Sequence, residues 1–235
     1  MKSRKYRLSC IVWFLCIVWV QAQESQKWEF VLGVDFNCNQ HLASPTQARF
    51  RTISGKHNPL ENSFLYLKRF GEITTIILNA SQNPFEFRGA NGDPTREIPG
   101  GPTSYSFLVS DFIATRDGSI TIFISGLTSG TYRFQSFHLD SSTAESFSFA
   151  QGNTPNVPAT LQALIQNEVV ATSTANSLGS RGLASTVLTN QELPSLKFER
   201  AIFEAQPLHI TLQTTTTAPT GFVLLNGFKI ERLLP

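Results

Sequence analysis

The sequence predicts an all-β chain, an antiparallel β-sandwich of jelly-roll type, on three observations. Apolar residues recur with period two over most of the chain after Trp28. β-Branched residues and Phe supply most of those positions, and Gly- or Pro-bearing turn signals separate the runs. No long amphipathic helical pattern is present to cover a parallel sheet. The 235 residues are 41% hydrophobic, 15% charged and 11% aromatic. That is too apolar and too lightly charged for intrinsic disorder, and the Gly and Pro residues follow no collagen-like period.

Two strands are plainest. In 119–125, Ile120, Ile122 and Ile124 face one way and Thr121 and Phe123 the other. In 208–213, Leu208, Ile210 and Leu212 alternate with His209, Thr211 and Gln213. Further strands are predicted over 28–36, 48–53, 73–79, 131–139, 146–150, 196–203 and 222–230. Segment 161–171 fits a strand or a helical stripe through Leu161, Leu164 and Ile165. Gly126 to Gly130 reads as a tight connection between neighbouring antiparallel strands, and Asn226-Gly227 as a hairpin turn or a bulge. The apolar phase of 131–139 changes around Ser136, which calls for a bulge or for two covered faces. Residues 83–103 and 172–185 form the longest predicted loops, the usual place for ligands on a rigid sandwich.

Residues 1–22 read as a secretory signal peptide. Lys2, Arg4, Lys5 and Arg7 precede an apolar run, and Ala22 offers a small residue for processing. The run, 8–20, is short of the roughly 20 residues a membrane-spanning helix needs. Removing it leaves 23–235 as a single secreted domain with no membrane span. It also removes four of the 19 basic residues, so the remainder is slightly acidic against 17 Asp and Glu, with no basic field for nucleic acid. Of three cysteines only Cys38 stays, read as a half-buried thiol near a strand end, so the domain must rely on its core rather than on a disulfide.

Several stretches together resemble a family. Val34-Asp35-Phe36-Asn37 is followed by Pro45-Thr46-Gln47-Ala48-Arg49-Phe50. Leu108-Val109-Ser110-Asp111-Phe112-Ile113 leads through Gly130-Thr131-Tyr132-Arg133 to Phe137-His138-Leu139-Asp140. The end is Gly221-Phe222-Val223-Leu224-Leu225-Asn226-Gly227-Phe228-Lys229-Ile230. Spanning most of 30–230, they resemble secreted galactose-binding-like sandwiches, malectin-related and of the carbohydrate-binding-module kind. The resemblance implies that the closing strand returns beside the first, and that the partner is a carbohydrate or an extracellular surface component. It implies no cofactor beyond a structural calcium near the first and last strands, for which Asp35, Asn37 and Glu231 offer hard oxygen ligands.

A sugar site needs an aromatic face and a few polar groups. Tyr105, with Asn91, Asp93 and Arg96 in the loop before it, is the sequence's candidate. His138 and Asp140, two apart on a strand, are a second polar pair. They are placed so that a carboxylate can orient an imidazole, although no Gly-x-Ser-x-Gly elbow supplies a nucleophile. Three functions stay open: a non-catalytic glycan-binding module, an extracellular structural or adhesion component that binds protein partners, and a hydrolase using His138 and Asp140.

Overall fold

The computed structural model describes residues 26–38, 47–55, 64–70, 73–81, 85–89, 108, 111–116, 119–138, 161–173, 195–203, 206–214 and 222–235. These form strands and connections with no helix, hence none long and apolar enough to cross a membrane. Cys38 ends the first strand fully buried, and forms no disulfide among the described residues.

Five strands make one sheet. In spatial order they are β11 (Ser195–Ile202), β8 (Gly130–Phe137), β14 (Gly227–Leu233), β1 (Trp28–Cys38) and β2 (Arg51–Gly55). The last strand does pair antiparallel with the first, Trp28 opposite Leu233 and Asp35 opposite Gly227. β2 runs parallel to β1, from Val34–Arg51 to Cys38–Gly55. A sheet of six follows the order β10 (Glu168–Ser173), β9 (Leu161–Ile165), β12 (Leu208–Thr214), β7 (Ser119–Ser125), β4 (Ile73–Ala80) and β3 (Phe64–Phe70). A smaller sheet joins β13 (Phe222–Leu225), β6 (Asp111–Arg116) and β5 (Glu86–Gly89). One apolar cluster draws on all three, with Val34, Phe134 and Ile230 from the first sheet, Ile76, Ile122 and Ile210 from the second, and Phe87, Ile113 and Val223 from the third. Sheets sharing one core are compatible with a β-sandwich.

The alternation in β7 and β12 is as predicted, with every second residue buried. Other elements differ for identifiable reasons. The ambiguous 161–171 segment is a hairpin: Gln166 and Asn167 both have positive φ, 52° and 67°, the pattern of a type I′ turn, which reverses the chain where a helix would continue. Gly126, at φ 88°, begins a connection that does not join neighbouring strands. It carries the chain from β7 in one sheet to β8 in the other, with Leu127 buried between. Segment 222–230 is not one strand, for it breaks at Asn226 and changes sheet. Asn226 is fully buried, donating N–H to the Phe137 carbonyl (2.9 Å) and accepting from Phe36 N–H (3.1 Å). Its Nδ2 donates to the Asp111 carbonyl at 2.7 Å, so one residue ties the three-stranded sheet to the five-stranded one. Glycine follows because a Cβ at 227 would lie 2.3 Å from the Val34 carbonyl oxygen. Residues 48 and 49, predicted in a strand, form a turn instead, and β5 lies inside the predicted 83–103 loop. The predicted 146–150 strand and the second loop, apart from residues 172–173, lie outside the described residues.

Candidate functional site

The polar residues singled out from the sequence divide sharply. Tyr105, Asn91, Asp93, Arg96 and Asp140 lie outside the described residues. His138 is fully buried just after β8, where both faces are covered, and that explains the change of phase at Ser136. Its Nδ1–H donates to the Leu224 carbonyl, which can only accept, so Nε2 is the bare nitrogen and accepts from the Ser136 hydroxyl at 2.8 Å. Burial pushes its pKa down to about 4, against a smaller opposing effect of the Leu224 bond. Both nitrogens of a neutral ring are thus occupied, and the side chain staples β8 to β13.

Asp35 and Asn37, two apart on β1, are also buried. Asp35 Oδ2 accepts from Gln47 N–H at 2.7 Å. Burial pushes its carboxyl up to about 7, the Gln47 bond opposes this, and the nearby Asp111 carboxyl adds to the rise. Buried Oδ1 of Asp35 accepts no hydrogen bond among the described residues. The same holds for Oδ1 of Asn37 and Asp111, although both residues have other interactions. Glu231 does not join them. It stands opposite Phe30, five residues along β1 from Asp35, and is bound to Lys229 at 2.9 Å. Two carboxyls and an amide oxygen are donor types that suit a hard cation. No group of three or more His, Cys, Asp or Glu gathers at metal-binding geometry among the described residues.

An open cleft lies elsewhere among the described residues. β11 alternates Leu196, Phe198 and Ile202 into the core, and the next residue, Phe203, falls in the opposite phase with 68% of its surface exposed. Gln206 N–H donates to the Phe203 carbonyl (3.1 Å) ahead of β12. With the tip of the β9–β10 hairpin, Phe203, Gln206 and Pro207 border an open depression of about 400 Å³. Buried Ile165, Ile202 and Leu208 give it an apolar floor. Gln166, Gln206, Arg200 and His209 supply donors and acceptors around it. His209 is held edge-on against Phe123, centroids 4.6 Å apart, and Glu199 is bound to Arg133 at 2.8 Å, so part of the polar rim is fixed. A flat ring beside fixed polar groups over an apolar floor can take the apolar face of a pyranose and bond its hydroxyls. Counting the alternation of β11 to its end would have found Phe203, which composition alone assigns to the core.

No protein-family model matches the chain, and no curated protein matches it. Solved structures show distant similarity. The plant receptor-like kinase FER matches at 14% identity and a TM-score of 0.40, over 64% of this chain and 40% of that one. A chain of the complex of plant peptide RALF23 with FER and LLG2 matches at 11% and 0.43, over 88% and 41%. Bacteroides uniformis β-glucuronidase matches at 14% and 0.39, over 87% and 18%. The chain therefore spans less than half the length of each of these structures, and scores this low establish no common topology.

Proposed function

We propose that the chain is a secreted, non-catalytic binding module for a glycan or cell-surface polysaccharide, with the Phe203 cleft as its binding site. The observation that carries this reading is the exposed Phe203 ring beside a polar rim over a buried apolar floor. Export through the leader at 1–22, a mature domain at 23–235 and a galactose-binding-like jelly-roll topology belong to the same reading. The return of β14 beside β1 supports it. In a glycan array with calorimetry on the hits, Phe203→Ala is expected to weaken binding about tenfold, the order of one lost aromatic contact. Binding equal to wild type would remove the cleft from consideration.

A structural calcium on Asp35, Asn37 and Asp111 is part of the proposal. It would cross-link β1 to β6 and ionise both carboxyls. Melting in calcium and in chelator tests it: a higher melting temperature with calcium is expected, and no difference discards the ion. Adhesion through protein partners is the second reading, favoured by the first half of β1, which among the described residues pairs with β14 alone. The buried, doubly bonded His138 gives the hydrolase reading no accessible base.

A further inference from the structure

One motif of the sequence belongs to neither the buried polar cluster nor the Phe203 cleft. Asn79-Ala80-Ser81 is the single Asn-x-Ser/Thr triplet of the chain whose middle residue is not proline. Such a triplet carries an N-linked glycan when two conditions hold: the chain passes an oligosaccharyl transferase, and the folded domain leaves room for a bulky polar group on that amide.

The structure meets the second condition. β4 turns Ile76, Leu78 and Ala80 into the shared core, so Asn79 faces the other way and is exposed. Its backbone is paired on both sides, with Phe64 of β3 and Thr121 of β7. The ladder holds the main chain and leaves the side-chain amide on the outer face of the sheet. Ser81, just past the strand, is exposed as well. Its N–H donates to the Ser119 carbonyl (3.0 Å) and its Oγ accepts from Ser119 N–H (2.8 Å), which prolongs the β4–β7 pairing by one residue. Other asparagines meet one requirement at most. Asn37 and Asn226 are buried, where a sugar has no way out. Asn167 is exposed in the β9–β10 turn, but Val169 stands where the hydroxyl residue is needed.

We propose that Asn79 carries an N-linked glycan on the outer face of the six-stranded sheet. The donor is a lipid diphosphate-linked oligosaccharide of the eukaryotic secretory membrane, met before the chain folds. Asn79 Nδ2 forms a bond to C1 of the first sugar as the C1–O bond to the diphosphate breaks. The amide gives up one proton, and the lipid diphosphate leaves. The site rests on the export part of the proposed function and is independent of glycan recognition. Asn79 shares a cross-strand row with Thr121 and Thr211, whereas the Phe203 cleft reaches His209, two residues along β12.

Expression of the full chain in insect or mammalian cells, with peptide mass spectrometry of the product, tests this. Chain from the medium is expected to lose mass on treatment with an N-glycan amidase, which leaves Asp at position 79. Asn79→Gln is expected to reach the medium without that mass. Ser81→Ala removes both the triplet and the bond to Ser119, so Ser81→Thr is the control, and it keeps the glycan. Exported wild-type chain with Asn79 unmodified overturns the proposal and leaves export standing. Chain retained in the cell with residues 1–22 attached and Asn79 unmodified overturns the export reading and the site together. An amidase-sensitive mass that persists in Asn79→Gln places the glycan elsewhere and overturns the site as well.

Discussion

The two halves of β1 obey different rules. From Leu32 to Cys38 every residue is buried, polar ones included, because β14 lies on one edge, β2 on the other from Val34 onward, and other strands pack across the faces. From Trp28 to Val31 the same strand is partly exposed and bulged, and among the described residues it pairs with β14 alone. The closed half is where Asp35 and Asn37 are buried, and its polar groups hold neighbouring segments in place. The open half is where side chains remain available. One buried carboxyl links them, since Asp35 fixes the turn that brings Arg49 over Phe30.

Glycine substitutions should separate the halves most widely. At Gly227, opposite Asp35, an added methyl meets the Val34 carbonyl at 2.3 Å and Leu108 Cδ1 at 2.4 Å, and backbone cannot step aside. Gly227→Ala is expected to cost about 3 kcal/mol by denaturant unfolding. At Gly130, near the open half, the nearest atom is Arg232 Nε at 3.1 Å, on a flexible side chain. Gly130→Ala is expected to cost under about 1 kcal/mol. Comparable losses at both sites would contradict the distinction.

Truncating phenylalanines gives the next contrast. Phe36→Ala in the closed half should cost about 4 kcal/mol, and Phe30→Ala, over an open groove, about 1 kcal/mol.

The dependence on pH sharpens the role of Asp35. His138, with its folded pKa lowered from 6.5 to about 4, makes the fold lose stability as pH falls through that window, because the unfolded chain takes up the proton first. Asp35 acts in the opposite sense. Its folded pKa is raised from 3.8 to about 7, so its stabilising effect is whole below 3.8 and is lost as pH rises towards 7. Between pH 4 and 6.5 the two oppose, each by at most about 1.4 kcal/mol per pH unit. In chelator, Asp35→Asn is expected to unmask a melting temperature that falls steadily from pH 6.5 to 4. An unchanged profile would mean that Asp35 is ionised throughout.

The smallest effect is at the turn of residues 48 and 49, where Arg49 has φ 71°. Arg49→Gly should raise stability by about 1 kcal/mol, by relieving a left-handed arginine. A loss instead would mean that the contact with Phe30 outweighs the strain.

How much of this was legible depended on whether the signal was local. Ile120, Ile122 and Ile124 show the core face of β7 by spacing alone, and the opening and closing motifs led correctly to the pairing of β1 with β14. Asn226-Gly227 reads the same in a hairpin, a bulge or a change of sheet, and only the partners Phe137, Phe36 and Asp111 decide among them. Residues 48–49 looked like strand because the turn carries Arg49 where its geometry prefers glycine. Glu231 looked like a partner for Asp35 because both lie on paired strands, yet register places it opposite Phe30. The start of the β1–β2 ladder at Val34 had no sequence signal, since it depends on where β2 begins, at Arg51.

Hydrogen exchange followed by mass spectrometry along β1 tests the division of this strand most directly. The expected result is exchange at least about tenfold faster over 28–32 than over 34–38, the latter opening only with global unfolding. Equal protection along the whole strand would contradict it.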